Sequence, residues 1–153
     1  MEPLTPATYA AKHPDKPAVV YGNGEVVETY GELERRSRAI AHVLRDAGLQ
    51  PGDSVAALVA NDDEFFDIYW ACHRTGLFFT PVNWHLQHDE VEYIVDNCDA
   101  RAFFAHARFA DLAARIARET PRLAINLAVG GDIPAFTRLA DAMAAVGDRP
   151  LGE

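Results

Sequence analysis

The chain has 153 residues, of which 49% are hydrophobic and 24% charged, an ordinary balance for a soluble globular protein with a real core. Its formal net charge is −9 at pH 7, and no cluster of lysine and arginine offsets that charge. Nucleic-acid binding is therefore excluded, and docking on anionic lipid is disfavoured.

Cysteine usage and the N-terminus indicate the compartment. Cys72 and Cys98 lie far apart without a CxxC pair, which excludes a zinc knuckle and a disulfide scaffold. Cys72 belongs to an apolar helical run and is expected to be a buried free thiol. The N-terminus lacks the basic start and apolar stretch of a signal peptide, and no apolar run approaches the roughly 20 residues of a membrane helix. We therefore expect a cytoplasmic protein.

The first elements along the chain are a short helix and a hairpin. Residues 5–13 predict a helix, with Thr5 as N-cap and Pro6 at the first helical position. Two extended runs, 18–21 and 25–29, then flank a Gly-Asn-Gly turn. This arrangement predicts a β-hairpin.

The clearest helix follows the hairpin. Thr29 and Glu32 have the spacing of a capping box, and Gly48 supplies a left-handed stop, so we expect a helix over 29–47. The unbroken apolar run at 55–59 predicts a strand that is covered on both faces, as in a parallel sheet.

Helical and extended segments then alternate to the end of the chain. We expect helices at 62–75, 87–97, 107–119 and 133–146, and strands at 77–82, 102–105 and 123–129. Apolar residues surround most of the 62–75 run, which predicts a largely buried helix. The alternation predicts an α/β fold, an N-terminal β-hairpin followed by β-α units with a mainly parallel sheet. Residues 1–146 are expected to form one partial domain and 147–153 a linker.

Glycine motifs for phosphate binding are weak in this chain. Neither GxGxxG nor GxxxxGK[ST] occurs. Gly22-x-Gly24 lies between two strands and is explained by the hairpin turn. Gly130-Gly131 follows a strand and could approach a phosphate, but a simple turn is the favoured interpretation.

Histidines and acids offer few ligands or bases. His85 and His88 are three residues apart, with Asp89 beside them. His85 precedes the expected helix, however, and no third ligand is evident from the sequence, so no metal site is expected. The isolated histidines are interpreted as surface or core residues: His42, His73 and His106. The carboxylates of 62–64 lie at a helix N-terminus, where the helix dipole favours acids.

Nucleophiles and basic groups are equally unpromising. Ser37 is expected on the exposed side of a helix and Ser54 in a turn, while Lys12 and Lys16 flank the break after the first helix. The arginines at 35, 36 and 38 alternate with glutamates and are interpreted as a solvated helix face. No nucleophile, base and orienting group come together. We therefore predict no catalytic, cofactor-binding or metal residue in this chain.

A series of short phrases nevertheless stands in a distinctive order. They are His13 to Ala18, Thr29-Tyr30-Gly31-Glu32-Leu33, Gly48 to Ala56, Asn61 with Glu64-Phe65, Ala71 to Gly76, Pro81-Val82-Asn83, Leu86, Glu90, Tyr93-Ile94 and Asp99. Together they resemble the opening of the adenylate-forming superfamily, which contains acyl-CoA synthetases, luciferases and peptide-synthetase adenylation domains. The similarity covers roughly residues 10–105. Within the superfamily, Asn83 favours acyl-CoA synthetases of the fatty-acid or aryl-acid kind.

The resemblance implies an AMP-forming acid–CoA ligase that uses ATP, Mg²⁺ and CoA. It also implies that the phosphate loop, the Thr-Glu pair, the ribose-binding Asp and the late lysine of the family lie outside this chain. By itself the chain is therefore expected to be inactive and to bind none of these cofactors. The alternative is a free-standing, non-catalytic α/β module that binds a partner or a nucleotide.

Surplus apolar residues at 65–72 and 78–79 predict association. Large apolar patches are rarely left in water, so we expect a homo-oligomer.

Overall fold

The computed structural model describes residues 5–61 and 64–151. The helices are Pro6–Lys12 (α1), Tyr30–Asp46 (α2), Glu64–Thr75 (α3), His88–Asn97 (α4), Ala110–Glu119 (α5) and Leu139–Val146 (α6). The strands are Pro17–Val20 (β1), Val26–Thr29 (β2), Ser54–Leu58 (β3), Phe78–Pro81 (β4), Ala100–His106 (β5), Ile125–Val129 (β6) and Thr137–Arg138 (β7). No helix in these ranges is long and apolar enough to cross a membrane.

The N-terminal elements form where local sequence predicts them. The Thr5 side chain accepts a hydrogen bond from the Thr8 amide and caps α1, and β1 pairs antiparallel with β2. At the start of α2 the Thr29 hydroxyl accepts from the Glu32 amide, while a Glu32 carboxylate oxygen accepts from the Thr29 amide at 2.8 Å. The capping box is thus confirmed, and it satisfies amides that the helix itself leaves unpaired.

The remaining strands make one parallel sheet in the order β4-β3-β5-β6-β7. One face packs on α2, α3 and α6 through Val55 and Ala57, and the other packs on α4 and α5 through Ala56 and Leu58. These four residues of β3 are fully buried. The predicted α/β fold, with a hairpin ahead of a mainly parallel sheet, is therefore confirmed.

The prediction that the 62–75 helix is largely buried is wrong. In the described part of that segment, Ile68, Ala71 and Cys72 are fully buried, whereas Phe66 is 44% exposed and Tyr69 37% exposed. Only one side of α3 packs against α2 and the sheet. Its aromatic residues pack edge-to-face on one another and on Phe79 instead. Asp62 and Asp63 lie outside the described residues.

The expected helix over 133–146 is also wrong in its first part. Ile133 is buried in the α4–α5 side of the core, and the Phe136 ring packs edge-on against Phe103 at 6.0 Å. These contacts hold residues 133–136 against the edge of the sheet. β7 then pairs with β6, and α6 begins only at Leu139. Ala135, between Ile133 and Phe136, adopts a left-handed φ of 66°, which a right-handed helix does not accommodate.

Residues 147–151 lie against α2. Arg149 pairs with Asp46 at 2.7 Å, and its carbonyl oxygen is 3.1 Å from His42 Nε2. Asp148 contacts Arg38, and Leu151 packs on the core beneath α2.

Candidate functional site

The strand order places a crevice at the carboxyl end of β3 and β5. β4 follows β3 in the chain and lies on one side of it, whereas the next strand, β5, lies on the other side of β3. The direction in which strands are added to the sheet therefore reverses between β3 and β5. Open α/β sheets bind ligands outside the carboxyl ends of the strands at such a point. Residues that follow the strands at this edge are therefore the first candidates for function.

His106 ends β5, and its imidazole is fixed by the backbone. His106 Nδ1 accepts a hydrogen bond from the Arg108 amide at 3.1 Å, which leaves the ring proton of the neutral form on Nε2. That nitrogen lies against Gly130, where an added Cβ would stand 2.3 Å away. Gly130 also has a left-handed φ of 70°. Both the space and the backbone conformation require glycine here.

Gly130 and Gly131 line a cleft of about 750 Å³ between α2, α6 and the end of β6. We call it the α2–α6 cleft. Its charged lining consists of Arg35, Arg36, Glu64, Arg138 and Asp148.

Two of the three arginines that line the α2–α6 cleft have acidic partners. Arg138 forms an ion pair with Asp132, and Arg36 Nε donates to Asp67 at 2.6 Å. Their charge is therefore largely neutralised. Among the described residues, the cleft does not offer the converging free cations that ATP with Mg²⁺ requires. Gly130 and Gly131 follow β6 and line the cleft, and their interpretation as a simple turn stays a prediction.

A buried acid pair lies beneath this cleft. Glu28 on β2 is 5% exposed and Asp67 on α3 is fully buried, and both Glu28 carboxylate oxygens lack a hydrogen-bond donor among the described residues. Burial, followed by the charge of Asp67, raises the pKa of Glu28 to about 8. A proton held by Glu28 can be donated to Asp67, whose other contact is Arg36. Burial and the charge of the neighbouring carboxylate therefore favour the protonated form of Glu28.

Sequence reasoning missed this acid pair. Arg36, expected on a solvated face, reaches Glu28 at 3.4 Å as well as Asp67 and Glu64. One signal could have found it: Asp67 shares a helix stripe with Ala71 and Thr75, which are buried. A carboxylate on a buried stripe requires a partner.

The other candidate residues are placed as follows. Ser37, expected on the exposed side of its helix, is fully buried, and its hydroxyl donates to the Leu33 carbonyl at 2.6 Å; that expectation is wrong because the helix satisfies the hydroxyl internally. Ser54 begins β3 rather than standing in a turn. Cys72 is fully buried, and burial raises the pKa of its thiol to about 12. The expected buried free thiol is confirmed.

The two neighbouring histidines have different surroundings. The His85 ring stacks on Trp84 with centroids 3.6 Å apart. His88 instead contacts Asp89 through Nδ1 and Glu119 through Nε2, at 2.8 and 2.7 Å. These two hydrogen bonds raise the pKa of His88.

Comparison with known proteins gives a consistent family. The model of the AMP-binding enzyme family matches residues 7–146. A fatty acid–[acyl-carrier-protein] ligase from Streptomyces coeruleorubidus is 33% identical over 80% of this chain and 23% of its own length. A 3-oxocholest-4-en-26-oate–CoA ligase from Rhodococcus rhodochrous is 32% identical over 71% of this chain and 19% of its own length.

Solved structures agree. A protein from Rhodopseudomonas palustris CGA009, described as a long-chain-fatty-acid CoA ligase, superposes with a TM-score of 0.80 at 25% identity, over 90% of this chain and 34% of its own. An anthranilate CoA ligase solved with anthranoyl-AMP shares the fold, with a TM-score of 0.77 at 20% identity, over 94% of this chain and 29% of its own. The chain spans about a fifth of the length of the curated relatives it matches. Since the family model covers nearly all of its residues, the chain belongs to the AMP-binding enzyme family.

Proposed function

We propose that this chain supplies the first part of the large N-terminal domain of an AMP-forming acid–thiol ligase, with CoA as the thiol. The observation that carries the proposal is the family match over residues 7–146. The fold of a CoA ligase at 25% identity supports it. Residues 147–153 would then lead into the rest of that domain, and the enzyme would act in the cytoplasm.

In the parent enzyme, the reaction has two steps. A carboxylate oxygen of the acid attacks the α-phosphorus of ATP, and pyrophosphate leaves to give an acyl-adenylate. The thiolate of CoA then forms a bond to the acyl carbon, and AMP leaves. Magnesium and basic groups would stabilise the phosphate charge that develops in the first step.

We infer that the described residues of this chain act as scaffold in that reaction. Ser37 is buried and bonded to its own helix, and the Cys72 thiol is inert. Two of the three cleft arginines, Arg36 and Arg138, are held by acids. The contribution of the chain is the rigid sheet whose carboxyl edge the catalytic segments would meet.

The acid is proposed to be a fatty or related hydrophobic carboxylic acid. Two relatives are named for fatty or steroid acids, and a feruloyl-CoA synthase from Amycolatopsis is 32% identical over 73% of this chain. One relative transfers its fatty acid to an acyl-carrier protein. The acceptor thiol is therefore the feature of the proposal that most needs a direct assay.

The first prediction concerns activity. The chain alone should give ATP–pyrophosphate exchange at background with a panel of fatty and aromatic acids, because it lacks the phosphate loop and late lysine of the family. A chimera in which residues 7–146 replace the corresponding segment of the Rhodopseudomonas ligase should restore acid-dependent exchange and form acyl-CoA. The matched control is the same ligase with that segment deleted.

Two results would contradict the proposal. Acid-dependent exchange by the chain alone would place catalytic residues within it. A chimera that folds, by circular dichroism and cooperative melting, but gives no exchange would favour the free-standing, non-catalytic module.

A second prediction concerns association. β4 is an edge strand, its Phe79 ring packs against Phe65 and Tyr69 of α3, and Phe66 and Tyr69 are exposed on that helix. We propose that this aromatic face makes the chain associate with itself, since unpaired strand edges and apolar patches favour pairing. Light scattering over a dilution series should give a mass above the monomer at high concentration.

Phe66→Ser should shift the association toward monomer. The matched control is Tyr93→Ser, because Tyr93 is also exposed but belongs to α4, which packs on the opposite face of the sheet. A wild-type monomer at all concentrations, or equal effects of the two substitutions, would rule out association through this face.

A further inference from the structure

A histidine and two glutamates meet between α4 and α5, on the side of the sheet opposite the α2–α6 cleft. His88 is the first residue of α4, Glu92 lies one turn later, and Glu119 is the last residue of α5. One donor atom of each residue lies within 4.8 Å of the donor atoms of the other two. Residues four apart on a helix face the same way, so His88 and Glu92 both face α5.

We propose that His88, Glu92 and Glu119 form a binding site for a divalent transition-metal ion, of which zinc is the model. Zinc binds imidazole nitrogen and carboxylate oxygen at about 2.0–2.2 Å, and tetrahedral geometry then separates the ligand atoms by roughly 3.3 Å. The present separations run from 2.7 Å, between His88 Nε2 and Glu119 Oε2, to at most 4.8 Å. Small rotations of the two glutamate side chains therefore suffice to enclose an ion.

Asp89 orients the imidazole for this role. Its Oδ1 lies 2.8 Å from His88 Nδ1, so the Nδ1 proton is donated to Asp89. Nε2 also donates, to Glu119 at 2.7 Å, and binding of the ion at Nε2 would release that proton to solvent. Histidines that ligate metals usually donate their other ring N–H to a carboxylate or carbonyl, which fixes the tautomer and raises ligand basicity. The His88 side chain is also shielded, at 16% exposed.

The surrounding charge suits a dication. Asp89, Glu92 and Glu119 carry three negative charges, and Arg115 Nε occupies only Glu119 Oε1, at 3.1 Å. Oε2 of Glu119 faces His88 Nε2, and the ion would take the place of the proton between these two atoms. With a neutral imidazole, the three carboxylates and the Arg115 guanidinium sum to −2, which one divalent cation neutralises. The nitrogen ligand favours zinc, nickel or copper over magnesium, which prefers oxygen ligands alone.

The test is a zinc titration of the full 153-residue chain by isothermal calorimetry in a buffer that does not bind metal. We expect one zinc per chain, and Glu92→Gln should weaken its binding at least tenfold. This variant is the most informative because the Glu92 carboxylate takes no part in the hydrogen bonds of His88 with Asp89 and Glu119. The matched control is His85→Ala, three residues away and stacked on Trp84, which should bind zinc like the wild type.

His88→Ala should lose binding by a similar or larger factor, and melting without zinc checks that each variant is folded. A tenfold excess of magnesium should leave the zinc affinity unchanged. The proposal is overturned if the wild type binds no zinc at millimolar concentration. It is also overturned if Glu92→Gln binds with unchanged affinity, or if magnesium displaces the zinc.

Discussion

Replacing Leu58 by alanine should lower the free energy of unfolding by about 2–5 kcal/mol. Leu58 ends β3, the strand between β4 and β5, and its side chain is fully buried. It packs in the core that α4 and α5 form over the sheet, with Val91, Val95 and Phe103. Alanine would remove this apolar contact and leave a cavity that rigid strands on both sides cannot close.

Urea denaturation of the purified chain would measure the loss. The matched control is Leu58→Met, which keeps the volume and should cost less than about 1.5 kcal/mol. If Leu58→Ala cost below about 1 kcal/mol, that side chain would have to be partly exposed, as on an edge strand. The double-sided burial of β3 would then be wrong.

The prediction from sequence succeeded where local chemistry decides the structure. The capping box of Thr29 and Glu32 fixes the start of α2 through contacts three residues apart. The apolar run at 55–59 predicts a strand covered on both faces, because no polar face is left for solvent. Both features need no information about distant parts of the chain.

Prediction from sequence failed where a contact between residues far apart in the chain decides the structure. A strand as short as β7 has no periodicity to detect, and its position depends on Phe136 packing against Phe103, 33 residues earlier. The proposed metal ligands show the same limit. His88 and Asp89 are visible as neighbours in sequence, but Glu119 reaches His88 only because α4 and α5 pack side by side.

The acid pair of Glu28 and Asp67 predicts a stability that falls as the pH rises. Glu28 has a pKa of about 8 in the folded chain against an ordinary value of 4.5, so between these values the folded state binds a proton that the unfolded state has released. Stability is then lost as pH increases through this window, by up to about 1.4 kcal/mol per pH unit. Below pH 4.5 both states hold the proton, and the contribution is constant.

The charged groups that face Glu28 are consistent with this sign. Asp67 on α3 and Glu32 on α2 raise the pKa of Glu28, and Arg36 on α2 lowers it. Glu64 on α3 raises the pKa of Asp67. Burial remains the largest cause, since the Glu28 carboxyl lies among β2, α2 and α3 with little access to water.

Glu28→Gln should therefore stabilise the chain at pH 8 by about 2–4 kcal/mol while changing little at pH 5. The glutamine amide is neutral at every pH and can donate to Asp67 as protonated Glu28 does, so Asp67 and Arg36 keep their partners. Denaturant unfolding at both pH values gives the difference directly. The matched control is Glu25→Gln in the same hairpin, where the carboxylate is exposed and the substitution should shift both curves equally. If Glu28→Gln lost stability at pH 8 as much as at pH 5, Glu28 would be ionised in the folded chain and paired with Arg36 rather than with Asp67.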